Sequence, residues 1–420
     1  MAAWLGNRRA RAWWHMREGG EAALAAATDR LAPGTAWAWF HCASLGEYEQ
    51  ARPVMEAYRA LRPEDPILLT FFSPSGWEPL AARRPAWWQT GDHLAAVPWD
   101  VPRAYRPWLR ALGHPHMRLR FLALSKYEVW PDQMRYLRRA GIPTAVFAAY
   151  HPAGAWPLRP VSGLLHAAWC GFDRMLVQDP GTAERWRHRG VPAQAVGDPR
   201  ADRVMAIANG PPPTGPQWAA AVRWVGTRRC LVAGSTWAAE ERALAELGWL
   251  PGAGRCWICV PHEVHAAHIN SLLALLTAQG LRWTRWSQLA APAAPVSETE
   301  VLVVDAVGWL ASLYRLGHVA LVGGGFGKGV HNTLEPAAHG LPIVTGPRIE
   351  RFREVQTLQS LGALQSASRP GDLASLVKTL LDDPELAART GNIARSWVVA
   401  NTGAATAIAS TLAALASRNK

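Results

Sequence analysis

A succession of short apolar runs, with helix-compatible segments between them, limits what this chain can fold into. Trp37 to Ala43, Ile67 to Phe72, His93 to Pro98, Phe121 to Leu124, Thr144 to Ala149 and Met175 to Val177 are strand candidates, and their alternation with helical segments is a βαβ rhythm. The rhythm pauses after Asp198. A helical stretch from Asp202 to Asn209 leads into Pro211, Pro212, Pro213, Thr214, Gly215 and Pro216, a stiff, turn-rich run with the composition of a linker. It restarts with Arg229 to Ala233, Cys256 to Val260, Val301 to Val304, Val319 to Val322 and Leu341 to Val344. The expectation is α/β, with two doubly wound parallel sheets. A first domain would span 1–209, a second 210–392, and an Ala-rich helical segment 393–420. In such sheets ligands collect at the carboxyl ends of the strands, so the loops there are where chemistry belongs.

The richest of those loops is Gly323 to Gly329, which joins the strand Val319 to Val322 to a helix carrying Glu335. Its glycines let the backbone approach a ligand closely, and a phosphate would meet free N–H groups and a helix N-terminus. Glu335 lies one helical turn beyond Asn332, placed to accept hydrogen bonds from a ribose. The arrangement reads as a nucleotide holder.

Composition narrows the class. At 420 residues and 49% hydrophobic content, the chain exceeds what a single core organises. Its net charge of +12 suits anionic partners such as phosphates, acidic lipids or nucleic acid. The first twenty residues mix Trp4, Trp13 and Trp14 with Arg8, Arg9, Arg11 and Arg17. That fits neither a spanning helix nor a cleavable signal peptide, and leaves two readings: a segment lying on a bilayer, or a packed surface helix. Cys42, Cys170, Cys230, Cys256 and Cys259 are odd in number and sit in apolar contexts, which argues against a disulfide framework. The Cys256–Cys259 pair reads as strand core because no second pair completes a zinc site.

Single residues on the carboxyl rims carry two readings each. Glu47, three positions after Ser44, has capping-box spacing and is also a candidate general base. Glu128 follows a strand, with Lys126 as a surface ion-pair partner. Ser73, Ser75 and Gly76 close another strand as a turn or as donors to an acceptor. Gly234, Ser235 and Thr236 precede a helix with Glu240 and Glu241, a second phosphate contact. His262 and His265 are three apart after a proline, unlike a zinc helix, and read as surface or ligand-edge histidines. Asp305 and a helix beginning near Gly308 face the same rim, as does the turn at Gly346.

The segments Ser44-Leu45-Gly46-Glu47, Glu128-Val129-Trp130-Pro131, Gly197-Asp198 with Arg200, Asp202 and Arg203, Gly234-Ser235-Thr236 and the glycine run occur in an order that resembles the 3-deoxy-D-manno-octulosonic acid (Kdo) transferases of lipopolysaccharide biosynthesis. The resemblance implies a GT-B fold, two Rossmann-like domains facing across a cleft. It also implies a CMP-Kdo donor, a lipid A precursor as acceptor, and no cofactor or metal in the site. Nucleic acid drops out as a partner. The location implied is the cytoplasmic face of the inner membrane, with peripheral attachment to an anionic surface because the hydrophobic N-terminal anchor of many relatives is missing.

Under that resemblance Glu47 is the general base and Glu128 a second acidic residue near the reacting centre. Ser235, Thr236, Gly325, Asn332 and Glu335 hold CMP, and His262, Asp305, Gly308, Gly324 and Lys328 complete the donor set. Ser44, Gly46, Ser73, Ser75 and Gly76 face the acceptor. Arg52, Lys126, Arg200 and Arg203 are candidate partners of the Kdo carboxylate or lipid phosphates. The chain departs from other branches at Pro261, His262 and Glu263, where they carry a more basic segment. Two alternatives stand: a GT-B transferase with another nucleotide sugar, and a basic, non-catalytic membrane-surface binder of the same fold.

Overall fold

The computed structural model describes residues 8–113, 118–159, 161, 163–246, 254–291 and 299–418. The chain forms two compact units, Met1–Arg203 with Asn401–Lys420, and Val204–Ala400. In the first unit, β1 (Trp37–Cys42), β2 (Ile67–Phe71), β3 (His93–Ala96), β4 (Leu119–Ser125), β5 (Thr144–Ala149), β6 (Arg174–Val177) and β7 (Ala193–Ala195) form one parallel sheet in the order β3-β2-β1-β4-β5-β6-β7. Its helices are α1 (Arg8–His15), α2 (Gly20–Asp29), α3 (Leu45–Leu61), α4 (Pro74–Ala82), α5 (Pro102–Ala111), α6 (Pro131–Arg139), α7 (Leu164–Trp169) and α8 (Pro180–Arg187).

Side chains along β1 alternate between two cores. Trp37 and Trp39 enter one with Tyr105, Trp108, Leu137, Trp169 and Trp186. Ala38, Phe40 and Cys42 enter the other with Tyr48, Val54 and Tyr58. Both faces are covered, which is why the strand reads as one continuous apolar run. Many of the tryptophans are consumed in this way, with Trp37, Trp39, Trp108, Trp169 and Trp186 fully buried.

The second unit follows α9 (Pro199–Asn209), a helix that itself crosses the division, so the expected boundary at 209/210 falls at the end of that helix. It contains α10 (Pro216–Val225), β8 (Arg229–Thr236), α11 (Ala238–Glu246), β9 (Arg255–Pro261), α12 (Ala266–Ala278), β10 (Trp283–Arg285), β11 (Val301–Val303) and α13 (Leu310–Leu313). After these come β12 (Val319–Val322), α14 (Leu334–Ala338), β13 (Ile343–Thr345), α15 (Arg353–Ser360), β14 (Leu364–Ser366), α16 (Pro370–Asp382) and α17 (Pro384–Ala400). The parallel order is β10-β11-β9-β8-β12-β13-β14. Strands β7, β10 and β14 escape sequence reading because each is a three-residue strand at a sheet edge.

The last helix, α18 (Ala404–Arg418), belongs to the first unit. Ile408, Leu412 and Leu415 enter the core that holds Tyr58 and Met55. The Asp202 carboxylate accepts from the Gly403 and Ala405 N–H groups at 2.6 and 3.0 Å, satisfying the free donors at the start of α18. The expected single segment 393–420 is thus divided at 400/401. By length and composition Pro384–Ser417 passes as a spanning helix. It is two helices broken at 401–403, and the apolar stripe of α18 is buried in the core.

Candidate functional site

In the first sheet the strand order reverses at β1, whose neighbours are β2 and β4. The loops after β1 and β4 flank that switch point, where open α/β sheets bind ligands. Glu47 is the third residue of α3 and only half-buried. The capping-box reading fails here. Ser44 makes no side-chain cap bond, and the Glu47 carboxylate instead accepts from the Ala43 N–H, one residue further back. Burial pushes the Glu47 carboxyl above its ordinary value of 4.5, the Ala43 N–H and His41 oppose the rise, and the charge of Glu128 adds to it.

Glu128 comes to the same place from the loop after β4, and its carboxylate lies 3.4 Å from His41 Nε2. His41 is buried at the end of β1, with Nδ1 2.9 Å from the Thr70 hydroxyl. It was not among the expected site residues. The signal was there: a histidine inside an otherwise apolar strand, next to the rim. Lys126, expected as a surface partner of Glu128, acts electrostatically on Glu47 and on Asp198, lowering both carboxyls.

The basic candidates are largely paired. Asp198 accepts from Gln50 at 2.7 Å, from Gln178 at 3.0 Å and from the Arg200 guanidinium at 2.7 and 2.8 Å. Burial alone would raise the Asp198 carboxyl, but Arg200 holds it below its ordinary value. Arg52 pairs with Glu56 and Arg203 with Glu49.

The expected acceptor residues divide. Gly46 is exposed, with open space where a Cβ would stand. Ser73 caps α4, accepting from the Ser75 N–H, with the two hydroxyls 3.0 Å apart. Gly76 is buried, and a Cβ there would meet the Phe71 ring at 2.3 Å, so its reason is packing.

In the second sheet the reversal falls at β8, between β9 and β12, and the loops after β8 and β12 meet there. A Cβ on Gly323 would lie 2.2 Å from the Ser235 carbonyl oxygen. One on Gly325 would lie 2.5 Å from the Gly346 nitrogen. These glycines are required because backbones cross at close range, a reason distinct from ligand approach.

The free N–H groups expected in the loop are partly committed. Gly324 N–H donates to the Glu240 carboxylate at 3.0 Å, and the Gly327 and Gly329 N–H groups both donate to the Gly324 carbonyl. Glu240 is buried beneath the loop, and its desolvation pushes the carboxyl above its ordinary value. A carboxylate therefore supports the loop from within, a role invisible in sequence beyond its position in the first turn of α11.

Among the expected donor residues, Ser235 is half-buried with φ 52°. Among the described residues, the non-glycine positions with positive φ are Lys126, Ala148 and Ser235, each at the carboxyl end of a strand. Such backbone strain, about 1–3 kcal/mol per residue, concentrates at functional edges.

Thr236 turns inward: its hydroxyl donates to Glu241 at 2.9 Å and is buried, so it is not available to a ligand. Asp305 does not cap a helix near Gly308. Its carboxylate accepts from the Ser287 N–H and hydroxyl at 3.0 and 2.6 Å, and the helix begins at Leu310 and is only four residues long. Gly308 and Lys328 are exposed. Asn332 donates to Glu335 at 3.0 Å and accepts from the Leu334 N–H, forming a small box at the start of α14.

His262 is exposed, with its ring stacked 4.7 Å from Trp237 and 4.4 Å from His331. Trp237 Nε1 donates to His331 Nε2 at 3.0 Å. Burial and the neighbouring His262 push the His331 imidazole down to about 4, which keeps it neutral and able to accept that bond. Trp237 and His331 were not expected as site residues. The aromatic rim they make with His262 gathers three loops.

A family model described as "3-Deoxy-D-manno-octulosonic-acid transferase (kdotransferase)" matches residues 13–203. The 3-deoxy-D-manno-octulosonic acid transferase of Bordetella pertussis is 29% identical over 414 residues, covering 96% of this chain and 92% of that one. The enzyme of the same name from Haemophilus influenzae is 24% identical, covering 87% and 84%. The likeness to 3-deoxy-D-manno-octulosonic acid transferases thus extends along nearly the whole chain. Among solved structures, the UDP-GlcNAc 2-epimerase of Neisseria meningitidis bound to UDP-GlcNAc superposes with a TM-score of 0.61 at 10% identity, covering 90% of this chain and all of that one. At that identity the likeness speaks to fold alone: two parallel-sheet α/β domains of the GT-B type.

Proposed function

We infer that the chain belongs to the Kdo transferase family and transfers Kdo from CMP-Kdo to a lipid A precursor, with release of CMP. The observation that carries the mechanism is Glu47: a half-buried carboxylate at a sheet switch point, with its proton affinity raised by burial. Glu47 takes the proton of an acceptor hydroxyl. The hydroxyl oxygen forms its bond to the anomeric carbon of Kdo as the bond from that carbon to the CMP phosphate breaks, and the electron pair leaves with CMP. Attack opposite the leaving group inverts the configuration.

Glu128 and His41 stand beside Glu47 and supply charge and hydrogen-bonding groups near the reacting hydroxyl. The second unit takes the nucleotide. Ser235, Gly325, Asn332 and Glu335 hold CMP, His262 with Trp237 and His331 offers an aromatic edge, and Glu240 keeps the loop in shape.

Donor identity has a direct test. A ligand stabilises the state that binds it, by about 2.7 kcal/mol at a hundredfold excess over its dissociation constant. CMP is expected to raise the melting temperature clearly more than UDP or UMP does; preferential protection by UDP would favour a different nucleotide sugar and sink the donor assignment.

We also place the chain peripherally on an anionic membrane surface, the cytoplasmic face of the inner membrane. Arg103, Arg106 and Arg110 are exposed on α5, as are Arg135, Arg138 and Arg139 on α6. These helices cover one sheet face, the side of the Trp37 core. Exposed Trp14 and Trp99 accompany them, and arginine with tryptophan is the composition of an interfacial surface. Cosedimentation with vesicles containing phosphatidylglycerol, lost in neutral phosphatidylcholine and at high salt, is the expected outcome. Equal sedimentation with both lipids would refute the electrostatic attachment.

A further inference from the structure

Helices α6 and α7 pack side by side over the Trp37 core of the first sheet, and a groove of about 480 Å³ opens between them. Arg135, Arg138 and Arg139 line it from α6, Leu164 and Ala167 from α7. Met134 and Ala168, both buried, line it more deeply. Helix positions three and four apart share a face, so the spacing of the three arginines turns them to the same side.

Arginine in the last turn of a helix complements the negative end of the helix dipole. That account covers Arg138 and Arg139, the basic residues of the last turn of α6, but neither Arg135, a turn earlier, nor the apolar wall opposite. Among the described residues Arg138 and Arg139 form no salt bridge, while Arg135 pairs at 2.7 Å with Asp132, which also lines the groove. Three guanidinium charges therefore meet one carboxylate. Arg138 is also given its place by a neighbour. A Cβ on Gly171 would lie 3.2 Å from Arg138 Cδ and 3.4 Å from its Nη1, so the glycine leaves the space in which that side chain lies. On the other wall Leu164, the first residue of α7, is 79% exposed. An aliphatic chain laid across it would remove that apolar surface from water.

The ligand that matches both walls joins an anionic group to an aliphatic chain. Guanidinium forks meet phosphate oxygens in pairs, and free phosphate would use the arginine wall alone. A nucleic-acid strand needs a charged track running beyond a bounded groove and would leave the leucine wall unused.

We propose that the groove between α6 and α7 binds one anionic phospholipid, with the headgroup phosphate on Arg138 and Arg139 and part of an acyl chain across Leu164 and Ala167. This rests on the reading that this face meets an anionic bilayer. It goes beyond that reading because one lipid gains a fixed place, whereas diffuse attraction assigns none.

The test titrates the full chain calorimetrically with dihexanoyl phosphatidylglycerol below its micelle concentration. Dihexanoyl phosphatidylcholine and glycerol 3-phosphate are the comparisons. Saturable binding of one phosphatidylglycerol per chain is expected, about tenfold or more tighter than either comparison, equivalent to about 1.4 kcal/mol. Arg138→Gln combined with Arg139→Gln should weaken it about tenfold or more. Arg187→Gln combined with Arg223→Gln removes the same charge from exposed positions elsewhere and should leave it unchanged. Leu164→Asn should weaken phosphatidylglycerol binding several-fold and leave glycerol 3-phosphate as it was.

No saturable binding, equal affinity for both lipids, or equal loss in the two arginine pairs overturns the proposal. Glycerol 3-phosphate bound as tightly as the lipid overturns it as well, since the groove is then a site for free phosphate. Should the Arg138 and Arg139 variant fail to fold, Leu164→Asn decides: weakened phosphatidylglycerol binding supports the proposal, and unchanged binding overturns it. Vesicles separate the two readings. Cosedimentation without monomer binding removes the groove and leaves peripheral attachment standing; saturable monomer binding without cosedimentation keeps the groove and removes the attachment.

Discussion

Glu47→Gln is expected to abolish Kdo transfer to within a small residue, a loss of about 10²- to 10⁴-fold in turnover, the usual contribution of a positioned general base. The amide keeps the shape of the side chain and its acceptor oxygen toward the Ala43 N–H, but cannot take a proton. Near wild-type transfer in the variant would remove Glu47 from the mechanism. The pH profile of the wild type is a companion to this result. A general base works deprotonated, so turnover falls as pH falls through its pKa, and burial places that fall above the ordinary 4.5.

Stability should move the other way. The folded-state pKa of Glu47 is raised above its unfolded value, so its favourable contribution is complete below the unfolded pKa and is lost as pH rises through the folded one. Above its folded-state pKa the carboxylate is ionised in a partly dehydrated place. Glu47→Gln is therefore expected to melt at or above the wild-type temperature near pH 7.5, with the difference shrinking toward about pH 4, where both side chains are neutral. A variant that melts well below the wild type at neutral pH would show Glu47 to be structural.

Gly325→Ala carries the second large effect. The added Cβ would lie 2.5 Å from the Gly346 nitrogen and 2.6 Å from its Cα. Both are backbone atoms, so relief requires moving the loop after β12, the turn after β13, or both, and overpacking of this kind costs about 1–3 kcal/mol or more. The Glu240 carboxylate that holds the Gly324 N–H would lose its register with the loop. A lower melting temperature and CMP affinity reduced about tenfold or more, equivalent to about 1.4 kcal/mol, are the expected results. Gly327→Ala is the control. Its Cβ would stand 3.5 Å from the Gly324 carbonyl oxygen, an ordinary contact, and CMP binding should be close to wild type. Equal damage from both changes would mean that loop flexibility matters rather than the crossing at Gly346.

How much of this was legible beforehand depended on the reach of each interaction. The strands from Trp37, Ile67 and Val319 were readable because burial on both faces leaves a mark in consecutive residues. Glu47 and Glu128 were readable as rim residues because they follow such strands. Thr236 was misread because a hydroxyl beside a glycine turn looks the same whether it faces a ligand or, as here, Glu241. The Asp305–Ser287 pairing was not legible because the two residues lie eighteen positions apart. The N-terminal tryptophans were ambiguous for the same reason. Trp13 packs on Phe72 and Trp99, residues far along the chain, while its neighbour Trp14 is 57% exposed.

By itself the sequence determined two parallel-sheet α/β units and the rim loops on which chemistry would stand, because backbone periodicity and burial act between near neighbours and are written locally. Only the tertiary structure decided which rim groups meet. It turned His41 toward Glu128, fastened Arg17 to the Phe72 carbonyl, placed Glu240 under the glycine run and returned α18 to the first core. Those pairings join residues tens to hundreds of positions apart, and their energies depend on distance and dehydration, which exist only once the chain has folded.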